Sequence, residues 1–300
     1  MSPATPGHYS GDVDAKLSAP SSRERAGQAP AGSLEEIRGI YIDLLIGAVT
    51  HTLYAGVDRV EPPEAVVEGF RDALLASDEV REMIFDFERG RAEGMDWPQY
   101  AQSMVGLKRM GNVRRCVETI LRDGVPGDLI EAGVWRGGVA ILMRGILKAY
   151  GVDDRAVWLA DSFQGLPAPD TDRFPEDATS SGHEFDVLAA SADEVRDNFR
   201  RYGLLDERVR FVEGWFRDTL PALRDRTWSL VRLDGDMYEA TMDGLVNLYD
   251  GLSPGGFLVI DDFALPPCRQ AVEEFRRDRG IAEPIERIDW TGVFWRKQGS

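Results

Sequence analysis

Six acidic residues stand at the ends of short apolar runs: Glu131, Asp161, Asp234, Asp236, Asp261 and Asp262. Such runs read as buried strands, so the acids would gather where the strands end. Like charges held together repel unless a cation, a hydroxyl or a proton relieves them. Asp261 and Asp262 are adjacent, and Asp234 and Asp236 flank a glycine. If those two strands are neighbours, three of the four carboxylates could converge. Oxygen ligands without a nearby His or Cys suit a hard divalent ion, Mg²⁺ first, with Mn²⁺ or Ca²⁺ possible.

Glu131 precedes a glycine turn, Gly133-Val134-Trp135-Arg136-Gly137-Gly138. A dinucleotide site favours Gly-x-Gly-x-x-Gly, whose second glycine admits a pyrophosphate. Here a carboxylate leads the turn and the spacing is Gly-x-x-x-Gly-Gly. A carboxylate disfavours pyrophosphate and favours a sulfonium or an amino group, so the turn suits S-adenosylmethionine (SAM) over NAD. Asp161 ends the next strand, where an acid can accept hydrogen bonds from ribose hydroxyls. Gly214-Trp215-Phe216 offers an aromatic wall for an adenine. Each feature also has a structural alternative. The glycines could serve packing, Asp161 could cap a turn, and the two aromatic rings could face the core. His51 falls on a helix. His183 lies in a polar loop, where a solvated side chain is the commoner role and an acceptor contact the other. No Ser-His-Asp arrangement or Walker loop is present.

The elements that would position these acids alternate. Strands are expected at 128–133, 156–160, 209–212, 229–233 and 257–260. Helices are expected at about 138–150, 191–202, 241–252 and 266–279. Alternation of this kind predicts an α/β fold with a parallel sheet covered on both faces. Segments 285–289 and 293–296 flank Thr291-Gly292 and could close the sheet as an antiparallel pair. The polar stretch 164–190 is longer than an ordinary connection, which marks it as functional or mobile.

The first third reads differently. Residues 1–32 are rich in Ser, Ala, Pro and Gly, too poor in large apolar groups to offset the entropy of ordering. A disordered tail is expected, with His8 inert in it. Ser33 and Glu36 form a capping box ahead of a helix through Ile40, Leu44, Leu45 and Val49. Further helices are expected at 63–77, 78–91 and up to Arg122. The division is a tail at 1–32, a helical cap at 33–123 and a catalytic α/β domain at 124–300.

The net charge of −17 disfavours a nucleic-acid binder, which needs a basic face. The apolar run at 40–49 is too short to span a bilayer and contains Asp43. Cys116 and Cys268 lack metal-ligand spacing, and the chain opens without a signal-peptide pattern. A cytoplasmic protein with reduced, buried cysteines is expected.

The whole pattern resembles the macrocin O-methyltransferase family of macrolide-sugar methyltransferases. The resemblance rests on Asp128-Leu129-Ile130-Glu131-Ala132-Gly133-Val134-Trp135-Arg136-Gly137-Gly138. It rests further on segments 160–167, 214–221, 233–241 and 255–262, with Tyr41-Ile42-Asp43-Leu44-Leu45 and Met104-Val105-Gly106 near the start. It implies a Rossmann-like class I SAM-dependent methyltransferase fold with an N-terminal helical cap, and a SAM- and Mg²⁺-dependent enzyme. The acceptor implied is a hydroxyl of a natural product, commonly a deoxysugar. A homodimer or higher oligomer is implied, with N-terminal segments closing over the site. The metal-binding acids implied are Asp234, Asp261 and Asp262, with Asp234 also the catalytic base. The cofactor-binding set is Glu131, Gly133, Val134, Gly137, Gly138, Asp161, Ser162, Gly214, Trp215 and Asp234. Two departures concern the acceptor pocket: a longer N-terminal region, and Ala240 where a Ser is common. The rivals are O-methylation of a phenol or catechol, and SAM binding without turnover.

Overall fold

The computed structural model describes residues 32–54 and 87–299. The expected tail and the expected helix at 63–77 lie outside the described residues, as does most of the one at 78–91. Helix α1 (Leu34–Val49) starts as its capping box requires, with the Glu36 amide donating to Ser33 Oγ at 3.1 Å. Helices α2 (Phe87–Glu93) and α3 (Leu107–Arg122) complete the described part of the cap.

A seven-stranded sheet follows, ordered β3-β2-β1-β4-β5-β7-β6. Its strands are β1 (Asp128–Ala132), β2 (Val157–Asp161), β3 (Val209–Glu213), β4 (Trp228–Leu233), β5 (Leu252–Ile260), β6 (Glu286–Arg287) and β7 (Val293–Arg296). The first five pair in parallel. β7 runs antiparallel to both β5 and β6, the closing pair that the sequence predicts. The helices between are α4 (Gly138–Ala149), α5 (Ala192–Arg201), the short α6 (Phe216–Thr219), α7 (Tyr238–Leu248) and α8 (Pro266–Arg279).

Alternate residues of each buried strand face opposite cores, because successive side chains point to opposite sheet faces. Leu129, Leu159, Leu230 and Val259 pack with α3, α4, α5 and the buried residues Ile42, Leu45 and Val49 of α1. Ile130, Val231, Leu233 and Ile260 pack with α7, α8 and the turn at 220–223. The N-terminal helices thus share a core with one face of the sheet.

The order in which the strands are added reverses at β1, which has β2 on one side and β4 on the other. Ligand crevices in open α/β sheets form beyond the strand ends at such a point. The register brings the acids level. Leu233 stands opposite Ala132 and Ile260. The Asp234 amide donates to Ala132 O at 2.8 Å and the Asp261 amide to Leu233 O at 2.9 Å.

Two elements differ from expectation. α7 begins at Tyr238 rather than Thr241, because Asp177, far away in sequence, accepts hydrogen bonds from its first amides. β5 begins at Leu252, through a segment whose proline and glycines read as a turn. A register shift against β4 absorbs the irregularity, and Gly255 takes φ 84° while its amide donates to Lys297 O at 2.8 Å. Among the described residues no helix is long and apolar enough to cross a membrane. Cys116 and Cys268 are buried and free, as expected.

Candidate active site

The β1–α4 turn is built on unusual backbone. Gly133 and Gly137 adopt φ 89° and 84°, and Trp135 adopts φ 45°. A side chain at Gly133 would collide with the Asp234 carbonyl, so glycine is what lets β1 and β4 close at the rim. Gly137 and Gly138 serve packing instead. A Cβ on Gly137 would meet Val195, and one on Gly138 would meet Gln102 and Ser103. The Gly138 amide donates to Gln102 O at 2.9 Å, tying the cap to the start of α4.

Asp161 holds this turn. Its Oδ2 accepts from the Val134 amide and its Oδ1 from the Phe163 amide, both at 2.7 Å. Burial raises its pKa while the backbone amides pull the other way. Each carboxylate oxygen has a second lone pair, so the turn role leaves capacity for a ribose hydroxyl. Ser162 Oγ donates to Gly165 O at 2.7 Å and fixes the start of the long loop. Gly214 takes φ 143°, and its amide donates to Asp161 O at 2.9 Å.

Behind the rim lies a buried charge network whose cations the acid pattern did not reveal. Arg232, next to last in β4 and 1% exposed, pairs with Glu131 at 2.7 Å, Asp234 at 2.9 Å and Asp261. Arg109, from α3, pairs with Asp261 and, at 2.8 Å, with Asp289. The available signal was an arginine inside a mostly apolar strand, since a buried guanidinium requires carboxylate partners. Burial alone would raise the Asp261 pKa, but Arg109 and Arg232 outweigh it and hold the pKa below the usual range. Burial pushes Glu131 up to about 8 against the pull of Arg232. Glu131 Oε2 is buried with no hydrogen-bond partner among the described residues.

The carboxylates that converge are Asp234, Asp236 and Asp262, with one oxygen from each within 4.8 Å of the others. Asp261 instead turns both oxygens to the two guanidinium groups. The gathered triad therefore contains Asp236, whereas the metal set implied by the family resemblance has Asp261 in that place. Asp236 sits at φ 57°, and its amide donates to Asp262 Oδ2 at 3.0 Å. Burial, then Asp261, push Asp234 up to about 6 against Arg232. Burial, then Asp234 and Asp261, push Asp236 up to about 7. Burial and the neighbouring acids raise Asp262 well above the usual range. Three crowded oxygen donors with raised pKa values fit a hard divalent cation.

These groups line one cavity of about 630 Å³. Of the expected cofactor-binding residues, Glu131, Gly133, Val134, Asp161, Ser162, Trp215 and Asp234 line it, whereas Gly137, Gly138 and Gly214 do not. Asp261 and Asp262 also line it. His183 and His51 are outside the lining, although Gly182 and Phe185 beside His183 are in it. Sequence reasoning missed Trp97, Phe185 and Trp290, which the cap, the long loop and the β6–β7 turn add to the lining, whereas Met104, in a segment that carries the family resemblance, lines it as an N-terminal closing segment would. The residues fit SAM. An unpartnered carboxylate oxygen at Glu131, a ribose-competent Asp161 and an aromatic side chain at Trp215 face one space.

Sheet order, the glycine turn at the reversal point and the acid-ended strands define a class I SAM-dependent methyltransferase fold. The macrocin-O-methyltransferase (TylF) family pattern matches residues 38–297, and the chain belongs to that family. It is 47% identical over 266 residues to 8-demethyl-8-(2,3-dimethoxy-alpha-L-rhamnosyl)-tetracenomycin-C 4'-O-methyltransferase of Streptomyces olivaceus, covering 87% of this chain and 94% of that one. It is 46% identical over 261 residues to mycinamicin III 3''-O-methyltransferase of Micromonospora griseorubida, covering 86% and 96%. The solved structure of the O-methyltransferase NovP superimposes with TM-score 0.77 at 44% identity, covering 87% of this chain and all of that one. The protein is a SAM-dependent O-methyltransferase.

Proposed function

We propose that this enzyme methylates a sugar hydroxyl of a glycosylated natural product, with a divalent cation, Mg²⁺ first, held by the rim acids. One observation carries the proposal: the oxygens of Asp234, Asp236 and Asp262 meet in the cavity that also holds the Glu131–Asp161 turn. The Streptomyces relative is named for a rhamnosyl substrate, which supports a sugar acceptor. When bound, the cation lowers a hydroxyl's pKa and orients it. SAM supplies a methyl group already activated by its positive sulfur. The protein's own tasks are positioning and proton removal. Glu131 and Asp161 orient the donor, and the wall of Trp97, Phe185 and Trp290 excludes water from the acceptor side.

Asp234 is the base implied by the family pattern. A second reading gives the proton to Asp236, on a specific contrast. Arg232 stands 2.9 Å from Asp234 and stabilises its ionised form, which weakens it as a base. No guanidinium pairs with Asp236 among the described residues. Asp234→Asn and Asp236→Asn separate the roles. A ligand variant loses both Mn²⁺ binding by calorimetry and methyl transfer. A base variant keeps Mn²⁺ binding and loses about 100-fold or more in turnover. The same titration on Asp261→Asn tests its place in the metal set. Full turnover after exhaustive EDTA treatment would refute the metal reading, and preference for catechols over glycosides would refute the acceptor reading.

The assembly proposed is a homodimer in the cytoplasm. Among the described residues, α1 leaves Leu34, Ile37, Ile40 and Leu44 exposed, a face that supports self-association. The two free cysteines support a reducing compartment.

A further inference from the structure

We propose that Asp177 is a positioning residue for methyl transfer. It clips the long loop at 164–190 to the first turn of α7, and so joins the outer wall of the cavity to the turn that carries Asp234 and Asp236. The inference rests on the proposed function for what the cavity holds, but the clip itself is read from contacts.

Asp177 lies in a short 3₁₀ turn and is fully buried. Its Oδ1 accepts from the Tyr238 amide at 2.6 Å and its Oδ2 from the Glu239 amide at 3.1 Å. No lysine or arginine pairs with it among the described residues. A carboxylate buried without a cation persists only where strong donors satisfy it. The open amides at a helix start are such donors, and the helix dipole adds to them. A local cap would have sufficed for α7 alone, from Ser, Thr, Asp or Asn at the preceding position. Met237 stands there and supplies no cap. The helix takes its cap from a different part of the fold, which a purely local helix-stop does not require.

Both sides of the clip face the site. From the loop, Leu166, Ser181, Phe185 and Leu188 line the cavity. On the other side, α7 follows directly from Asp234-Gly235-Asp236, where Asp236 holds a left-handed backbone. The Phe174 and Tyr238 rings meet at 6.0 Å beside the clip. The Tyr238 hydroxyl donates to Glu274 Oε2 at 2.7 Å, anchoring α7 to α8. Releasing Asp177 would free the wall and the acid turn together.

The test uses Asp177→Ala and Asp177→Asn in the full-length enzyme. Asp177→Ala is expected to lower kcat/KM for a glycoside acceptor about ten- to hundred-fold, mostly in acceptor KM, with SAM affinity by calorimetry little changed. Trypsin cleavage after the exposed Arg173 should accelerate by a similar factor. Asp177→Asn keeps one neutral acceptor oxygen and should fall between. It carries the test if the alanine variant does not fold. Wild-type acceptor kinetics and wild-type Arg173 cleavage in a folded variant overturn the proposal, even if the melting temperature drops. The cleavage arm needs no acceptor, so a wrong acceptor class leaves it readable.

Discussion

At the scale of single residues the site is a problem of charge balance. Glu131, Asp234, Asp236, Asp261 and Asp262 line one cavity, with Arg109 among them and Arg232 buried behind the rim. The guanidinium groups take Glu131, Asp234 and Asp261, and leave Asp236 and Asp262 without a cation among the described residues. Their raised pKa values follow. A carboxylate whose pKa is raised by folding binds protons more tightly in the folded state. Its stabilising contribution is full below its unfolded pKa of about 4 and is lost as pH rises through the folded value. For Asp234 and Asp236 that window ends at about 6 and about 7. The metal-free enzyme is therefore expected to melt at lower temperature at about pH 8 than at about pH 5 as far as these acids contribute, and Mg²⁺ should raise the melting temperature more at the higher pH. Thermal-shift measurements at both pH values, with and without Mg²⁺, check this. Equal Mg²⁺ increments at the two would contradict a metal competing with protons on the triad.

At the scale of elements, three connections decide the site: the β1–α4 turn, the β4–α7 turn and the long loop. Gly133 gives the clearest mutational test. Its φ of 89° and the Asp234 carbonyl beside it leave no room for a Cβ. Gly133→Ala should cost about 1–3 kcal/mol in urea unfolding from the strained backbone, and weaken SAM binding because the turn moves. Gly138→Ala should behave differently. Its Cβ would press on Gln102 and Ser103, so it displaces the cap segment while Asp161 still holds the turn. Calorimetry with SAM on both variants separates them, and an unimpaired Gly133→Ala would show that the close approach of β1 to β4 is not needed. Both glycines belong to one sequence motif, yet one faces the cavity rim and the other faces the cap.

At the scale of the whole molecule, the described part of the cap shares a core with one face of the sheet. Ile42, Leu45 and Val49 of α1 lie in the same cluster as Leu129 and Leu159. Arg109 carries the cap to the rim, and the Trp290 indole donates to Glu93 O at 2.9 Å from the opposite side. The cap therefore supplies part of the site as well as covering it. The exposed apolar face of α1 belongs to this scale too. Replacing Ile37 and Leu44 together by Glu should convert the proposed dimer to monomer, as read by light scattering coupled to size-exclusion chromatography. A dimer that survives the double substitution places its interface elsewhere.

The sequence by itself determined the succession of strands and helices, the glycine turn after β1 and the acids that end the strands. These are local features, set by hydrophobic period, glycine position and the residue type at each strand end. The start of α1 at Ser33 and the span of α8 were legible for the same reason. Which acids converge was decided only by the tertiary structure, because that depends on register and on cations from elsewhere. Arg232 and Arg109 draw Asp261 away, and the left-handed backbone at Asp236 brings that residue in. The start of α7 was hidden likewise, since its cap is Asp177, a residue that no window around Tyr238 contains. Local patterning fixes what an element is. Pairing across the chain fixes which side chains share a buried charge, and the chemistry of this site lies in that pairing.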